Sequence, residues 1–102
     1  MDEDFVKIAT TDQVPDDEGL MLEVDGLPIA LFRVDGKYYA VEDVCPHQES
    51  SFEGGELEGE EVTCPLHGWR LNVKTGESLE APGVKVETYE VRLDGEDIYI
   101  RL

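Results

Sequence analysis

Apolar and polar residues alternate in two runs near the C-terminus, residues 89–93 and residues 98–102. A period of two is typical of a strand that buries only one of its faces. Residues 5–9 are predicted to add one more strand at the N-terminal end. No window keeps an apolar period of 3.6 residues, so the chain is predicted to be all-β, with at most one helical turn in residues 11–18.

Three Asp-Gly dipeptides, Asp25-Gly26, Asp35-Gly36 and Asp94-Gly95, lie between apolar runs. Asp-Gly favours two-residue hairpin turns, because both central positions of such a turn need positive φ. The first two turns predict a meander of strands over Leu20–Val24, Leu27–Val34 and residues 37–41. The ends of the chain therefore predict an antiparallel sandwich or barrel, and the middle, about residues 42–73, is expected to form a smaller unit.

The chain has 102 residues, so residues 1–102 are predicted to fold as a single domain. Its 25 acidic and 8 basic residues give a net charge of −17, which argues against binding to nucleic acid or to an anionic membrane. The charge is compatible with steering towards a basic protein partner, and equally with solubility in high salt. There is neither an apolar run of ~20 residues nor a basic, apolar leader, so a soluble cytoplasmic protein is expected.

All cysteines and histidines of the chain lie in two short motifs, Cys45-Pro46-His47 and Cys64-Pro65-Leu66-His67. Two thiolates and two imidazoles can bind a structural zinc ion, or an asymmetric 2Fe-2S cluster with both thiolates on one iron and both imidazoles on the other. Paired zinc ligands are usually separated by about two to five residues, and the first motif has one intervening residue. The spacing favours the cluster. A zinc-stapled interaction module remains the alternative.

The two motifs, together with Gly54-Gly55-Glu56-Leu57, Trp69 and Thr75-Gly76-Glu77, resemble Rieske proteins, and within them the ferredoxins of bacterial ring-hydroxylating oxygenase systems. The resemblance implies a Rieske fold, with a sandwich or barrel base and a two-loop cluster-binding subdomain. It also implies one 2Fe-2S cluster. By position, Cys45 and Cys64 are expected to bind the buried iron, and His47 and His67 the outer, redox-active iron. Pro82-Gly83 resembles the proline loop that covers the cluster.

Two departures separate the chain from the respiratory and photosynthetic Rieske proteins. Ser50 and Leu66 stand where those proteins carry an extra disulfide, and Trp69 and Leu71 stand where they carry hydroxyl groups that raise the reduction potential. Six glutamates and no basic residue between positions 49 and 61 also predict a low potential, because negative charge disfavours the reduced cluster. We expect a value of about −150 mV, at the bottom of the Rieske range.

The resemblance implies a one-electron carrier rather than an enzyme. Its expected partners are a ferredoxin reductase and a terminal oxygenase of the Rieske non-haem iron type, and a monomer suits a shuttle that docks twice. A second hypothesis is the Rieske small subunit of an assimilatory nitrite reductase.

Overall fold

The computed structural model describes residues 4–16, 18–44, 51–65, 68–81 and 83–102. Most of these residues lie in strands or tight turns, and the all-β prediction is confirmed. The strands are β1 (Phe5–Thr10), β2 (Leu20–Val24), β3 (Leu27–Val34), β4 (Lys37–Glu42), β5 (Leu57–Glu58), β6 (Glu61–Thr63), β7 (Arg70–Asn72), β8 (Thr88–Asp94) and β9 (Asp97–Arg101). One 3-10 turn, Thr11–Gln13, follows β1. Within the described ranges, no helix is long and apolar enough to cross a membrane.

The strands form two antiparallel sheets. Six of them form one sheet in the order β1-β9-β8-β4-β3-β2, and the other three form a small sheet in the order β5-β6-β7. The predicted bounds of β2 and β3 are confirmed, and β4 extends one residue beyond its predicted end. Both residues of the first two Asp-Gly turns have positive φ, with Asp25 at 51° and Gly26 at 81°. These turns therefore set the register of the meander.

The third Asp-Gly turn is shifted by one residue from its predicted position. Asp94 pairs with Asp97 in the ladder between β8 and β9, so Gly95 and Glu96 make the turn. Gly95 alone carries the positive φ, at 62°. The shift does not change which face of β9 is buried, because Ile98 and Ile100 remain fully buried in this register.

Strand β3 separates two apolar cores, which explains why its sequence is apolar at nearly every position. Ile29 and Leu31 pack into the first core, which β1, β2, β4 and β9 complete. Ala30 and Phe32, on the other face, pack into the second core, which includes residues of the small sheet. A strand buried on both faces loses the polar alternation of a surface strand. The six-stranded sheet curls around the first core, and it is called the barrel below. It supports the small sheet through the second core.

Two apolar positions in the alternating C-terminal runs are exposed. Leu93 is 48% exposed, because β4 pairs with β8 only at Thr88 and Tyr89 and the turn end of β8 projects past it. Leu102 follows the end of β9 and is 42% exposed. Alternation therefore shows which side of a strand a residue occupies, and not whether that side is covered along its whole length.

Candidate metal centre

Strand β6 leads directly into Cys64, the first residue of the second motif. Val62 and Cys64 face inwards and have no exposed surface, while Glu61 and Thr63 alternate with them and are half-buried. Cys64 belongs to the second core, which also contains the side chains of Phe32 and Phe52. A strand of three residues therefore delivers one thiol into an apolar, water-excluding environment.

Backbone hydrogen bonds close the loop that follows Cys64. The N–H of Cys64 donates to the carbonyl of Trp69 (2.6 Å), and the N–H of Gly68 donates to the carbonyl of Cys64 (2.9 Å). Gly68 has a φ of 72°, a left-handed conformation that glycine adopts without steric cost. The indole of Trp69 packs half-buried against the core that contains Cys64. Cys64 is thus tied by its backbone to Gly68 and Trp69, the described residues on the far side of the motif.

A glycine joins the stem of the first loop to strand β6. A Cβ atom on Gly55 would lie 2.1 Å from the carbonyl oxygen of Thr63, a distance no side chain can occupy. The N–H of Gly55 donates to the carbonyl of Phe52 (2.8 Å), and the preceding Gly54 has a φ of 86°. Gly54 and Gly68 thus supply positive φ, and Gly55 allows the close backbone approach, around Cys64.

These segments surround a cavity of about 350 Å³, lined by residues 54–56, residues 63–65 and Gly68. Three glycines in the wall leave the backbone open to a bound group. Cys64 lies at this wall, although 0% of its surface is exposed to solvent. A soft thiolate donor that packs among apolar side chains at the edge of this cavity is suited to an iron–sulfur cluster. The residues present therefore fit the predicted group.

Of the four predicted ligands, the structure describes only Cys64. Cys45, His47 and His67 lie outside the described residues, as do Ser50, Leu66 and Pro82. Among the described residues, no group of three or more potential metal ligands is brought together. What the structure places are the segments on either side of each ligand loop, and the stem of the first loop contacts Thr63, the last residue of β6, which directly precedes Cys64.

Sequence reasoning missed Asp43, which anchors the first loop. Its carboxylate is buried and accepts a hydrogen bond from the Ser51 hydroxyl (2.6 Å) and another from the Phe52 N–H (2.8 Å). These donors stand eight and nine residues further along the chain. No local sequence signal singles out Asp43, because the chain has 25 acidic residues and the donors to this carboxylate lie in another segment.

Sequence reasoning also missed Glu80, which fixes the loop before Gly83 to strand β7. The Glu80 carboxylate accepts hydrogen bonds from the backbone N–H of Arg70 (2.8 Å) and from its Nε (2.9 Å). These bonds hold the pKa of Glu80 below its ordinary value. The N–H of Leu79 also donates to the carbonyl of Arg70 (3.0 Å). The segment that leads to the predicted proline loop therefore lies beside the second ligand loop.

Of the five glutamates between positions 49 and 61 that the structure describes, two have cationic partners, contrary to the expectation of an uncompensated acidic run. Glu60 lies 3.2 Å from Lys74 Nζ, and Glu61 lies 3.6 Å from an Arg70 guanidinium nitrogen. The hydrogen bond from the Asn72 side chain, followed by the contact with Lys74, lowers the pKa of Glu60. The cations come from strand β7 and the turn after it, so residues 49–61 alone could not reveal them.

Comparison with known proteins identifies the family that this arrangement resembles. The profile of the family described as Rieske [2Fe-2S] domain matches residues 4–90. The chain is 35% identical over 103 residues to the ferredoxin component of a naphthalene 1,2-dioxygenase system from Pseudomonas aeruginosa, which covers 100% of this chain and 99% of the relative.

Two solved structures share the fold. The ferredoxin of carbazole 1,9a-dioxygenase from Nocardioides aromaticivorans IC177 superposes with a TM-score of 0.86 at 33% identity, covering 95% of this chain and 96% of that one. A chain from the complex of reduced oxygenase and oxidized ferredoxin in carbazole 1,9a-dioxygenase also superposes with a TM-score of 0.86. It is 28% identical, and the match covers 98% of this chain and 94% of that one.

Proposed function

The chain belongs to the Rieske 2Fe-2S family, and we propose that it is the ferredoxin of an aromatic-ring dioxygenase system, carrying one electron at a time. The observation that carries this conclusion is the similarity to a named ferredoxin component over the whole of both chains. Such components transfer electrons and do not themselves act on the organic substrate. The chain is accordingly an electron-transfer protein and not an enzyme.

We propose that Cys45 and Cys64 hold one iron of the cluster and that His47 and His67 hold the other. When bound, the cluster supplies a one-electron redox centre. The support for this ligand set is the donor chemistry of the two motifs and the burial of Cys64 beside a glycine-walled cavity. The apolar side chains around Cys64 exclude water from its thiol, and Gly68 and Gly55 hold the two loop stems in place.

Hydrogen bonding around the site supports a low reduction potential. Hydrogen bonds to cluster sulfur favour the reduced state, so fewer of them lower the potential. The N–H groups of Cys64, Gly68 and Gly55 already donate to protein carbonyls. Trp69 and Leu71 carry no hydroxyl group. We therefore place the potential near the lower end of the Rieske range, at about −150 mV.

The proposed partners are a ferredoxin reductase, which supplies the electron, and a terminal oxygenase of the Rieske non-haem iron type, which receives it. The similarity to a chain from an oxygenase–ferredoxin complex supports the second partner. We further propose a cytoplasmic monomer, because a carrier that docks in turn on two proteins needs its site accessible to both. The acidic charge of −17 favours basic docking faces on these partners.

The nitrite reductase hypothesis is less supported, because the chain is 35% identical to a dioxygenase ferredoxin component, whereas a putative nitrite reductase small subunit of the same fold is 26% identical. The two hypotheses differ in the enzyme that receives the electron, and reconstitution tests this difference. A reconstituted system of reductase, this protein and a terminal oxygenase is expected to form hydroxylated product only when the protein is present. Failure to support any aromatic-ring oxygenase, together with co-purification with a sirohaem enzyme, would favour the nitrite reductase hypothesis instead.

A further inference from the structure

Asp43 is one of two buried polar side chains among the described residues, and it lies where the chain leaves the barrel. It follows β4 directly, and 8% of its surface is exposed. Its backbone N–H donates to the carbonyl of Pro28 on β3 (3.0 Å). The backbone of Asp43 is therefore fixed to the six-stranded sheet, and its side chain points away from a rigid base.

The carboxylate of Asp43 spans the base of the first ligand loop. One oxygen accepts the hydrogen bond from Ser51 Oγ, and the other accepts the bond from Phe52 N–H. Ser51 Oγ in turn accepts a hydrogen bond from the N–H of Glu53 (3.0 Å). Because Cys45 and His47 lie between Asp43 and Ser51 in the chain, these bonds bring the two ends of their loop together.

The same contacts connect the first loop to the second. Phe52 has no exposed surface and packs in the core that contains Cys64. The carbonyl of Phe52 accepts the N–H of Gly55, and Gly55 in turn lies against the carbonyl of Thr63, the last residue of β6. A short series of contacts thus leads from Asp43 to the residue before Cys64.

We propose that Asp43 is a positioning residue for the cluster, because it holds together the two ends of the segment that carries Cys45 and His47 and links them to the core around Cys64. This role rests on the proposed function, since it concerns the ligands of the same cluster. A site assembled from two loops binds more weakly if the loops must first be ordered, because only the ordered fraction of the protein is competent to bind. The buried carboxylate joins residue 43 to residues 51 and 52, and its own burial is compensated by these two donors.

The test compares holoprotein variants that weaken this contact by different amounts. Asp43→Asn keeps the size of the side chain but removes the charge and one acceptor, and Ser51→Ala removes one hydrogen bond. We expect iron release to a chelator to be about tenfold faster in Asp43→Asn, the scale of effect seen for groups that orient metal ligands, and less accelerated in Ser51→Ala. The electron paramagnetic resonance spectrum of the reduced protein is expected to broaden, because the ligand geometry becomes heterogeneous.

Two controls separate positioning from general destabilisation. Asp12→Asn alters a carboxylate that accepts a hydrogen bond from the Thr10 hydroxyl beside the 3-10 turn, and we expect it to leave release and spectrum unchanged. Leu31→Ala truncates a side chain in the first core, so it lowers the stability of the barrel without touching Asp43. It is expected to keep the wild-type line width.

Wild-type release rates and line widths in both Asp43→Asn and Ser51→Ala would overturn the positioning role and leave the proposed function standing. The same broadening in Leu31→Ala would also overturn it, since the effect would then be general. If Asp43→Asn does not fold, Ser51→Ala alone decides between these outcomes. A wild-type protein without iron and sulfide would overturn the proposed function, and the positioning role with it.

Discussion

The six-stranded sheet and the three-stranded site unit are built by different means. Strands of five to eight residues form the larger sheet, and their ladders and alternating side chains account for its shape. The strands of the site unit have only two or three residues each. Ladders this short contribute little on their own, since even a two-stranded hairpin is marginally stable in water.

Single residues replace long ladders in the site unit. Gly55 allows one stem to touch the next, Asp43 closes the base of the first loop, and Glu80 fixes the segment before Gly83 to β7. Each contact depends on one side chain, or on the absence of one. The larger sheet is therefore held by many ladder pairs at once, whereas the site unit depends on contacts of a few residues.

The largest expected effect is that of Cys64→Ser, which removes a buried ligand from the site unit. We expect the cluster to be lost completely, because metal binding and local folding are coupled. Amides of β8 and β9 are expected to keep their protection from hydrogen exchange, while those of β5 to β7 lose it. Iron analysis and hydrogen-exchange mass spectrometry measure the two results. Equal loss of protection in both sheets would contradict this prediction, because it would show that the barrel also depends on the cluster.

Gly55→Ala is expected to lower the free energy of unfolding by about 3 kcal/mol, because backbone must move to admit the new Cβ atom. Its matched control is Gly26→Ala in a barrel turn, where a Cβ atom meets nothing within 4 Å and only the positive φ is unfavourable. The control is expected to cost about 1 kcal/mol. Urea denaturation of both variants gives the difference. Equal costs would show that the close approach at Gly55 is not required.

Glu80→Gln is expected to have the smallest effect, about 1 kcal/mol at neutral pH, since the side chain is partly exposed. The pKa of Glu80 is lowered in the folded protein by its hydrogen bonds from Arg70, and its ordinary value is 4.5. A carboxylate of this kind stabilises the fold above its unfolded pKa, and the stabilisation disappears as the pH falls through the lowered value. The difference between wild type and variant should therefore shrink below pH 4.5.

Denaturation of both proteins across this pH range tests the prediction. Glu90→Gln is the matched control on the barrel, where Glu90 pairs with the exposed Arg92 and Arg101. We expect its effect to stay within about 0.5 kcal/mol. A difference between wild type and Glu80→Gln that persists in acid would assign the effect to packing rather than to the charge.

The contrast between the two regions also explains which features were predictable from the sequence. The bounds of β2 and β3 follow from local signals, namely the Asp-Gly turns and the apolar runs between them. Asp43 and Glu80 give no such signal, because their donors lie eight to ten residues away in the chain. In a chain with 25 acidic residues, one more carboxylate does not stand out. The motif around Cys64 was recognisable because its chemistry needs particular residue types at a fixed spacing.

In the proposed site, each of the two loops supplies one thiolate and one imidazole to a single 2Fe-2S cluster. The most direct test is electron–nuclear double resonance on the reduced protein, with histidine labelled with nitrogen-15. If both imidazoles bind iron, strong couplings to nitrogens of two histidines, His47 and His67, are expected. The variants His47→Cys and His67→Cys are each expected to lose one of these couplings and keep the other. A colourless protein that contains one zinc ion, or a cluster without bound histidine nitrogen, would contradict it.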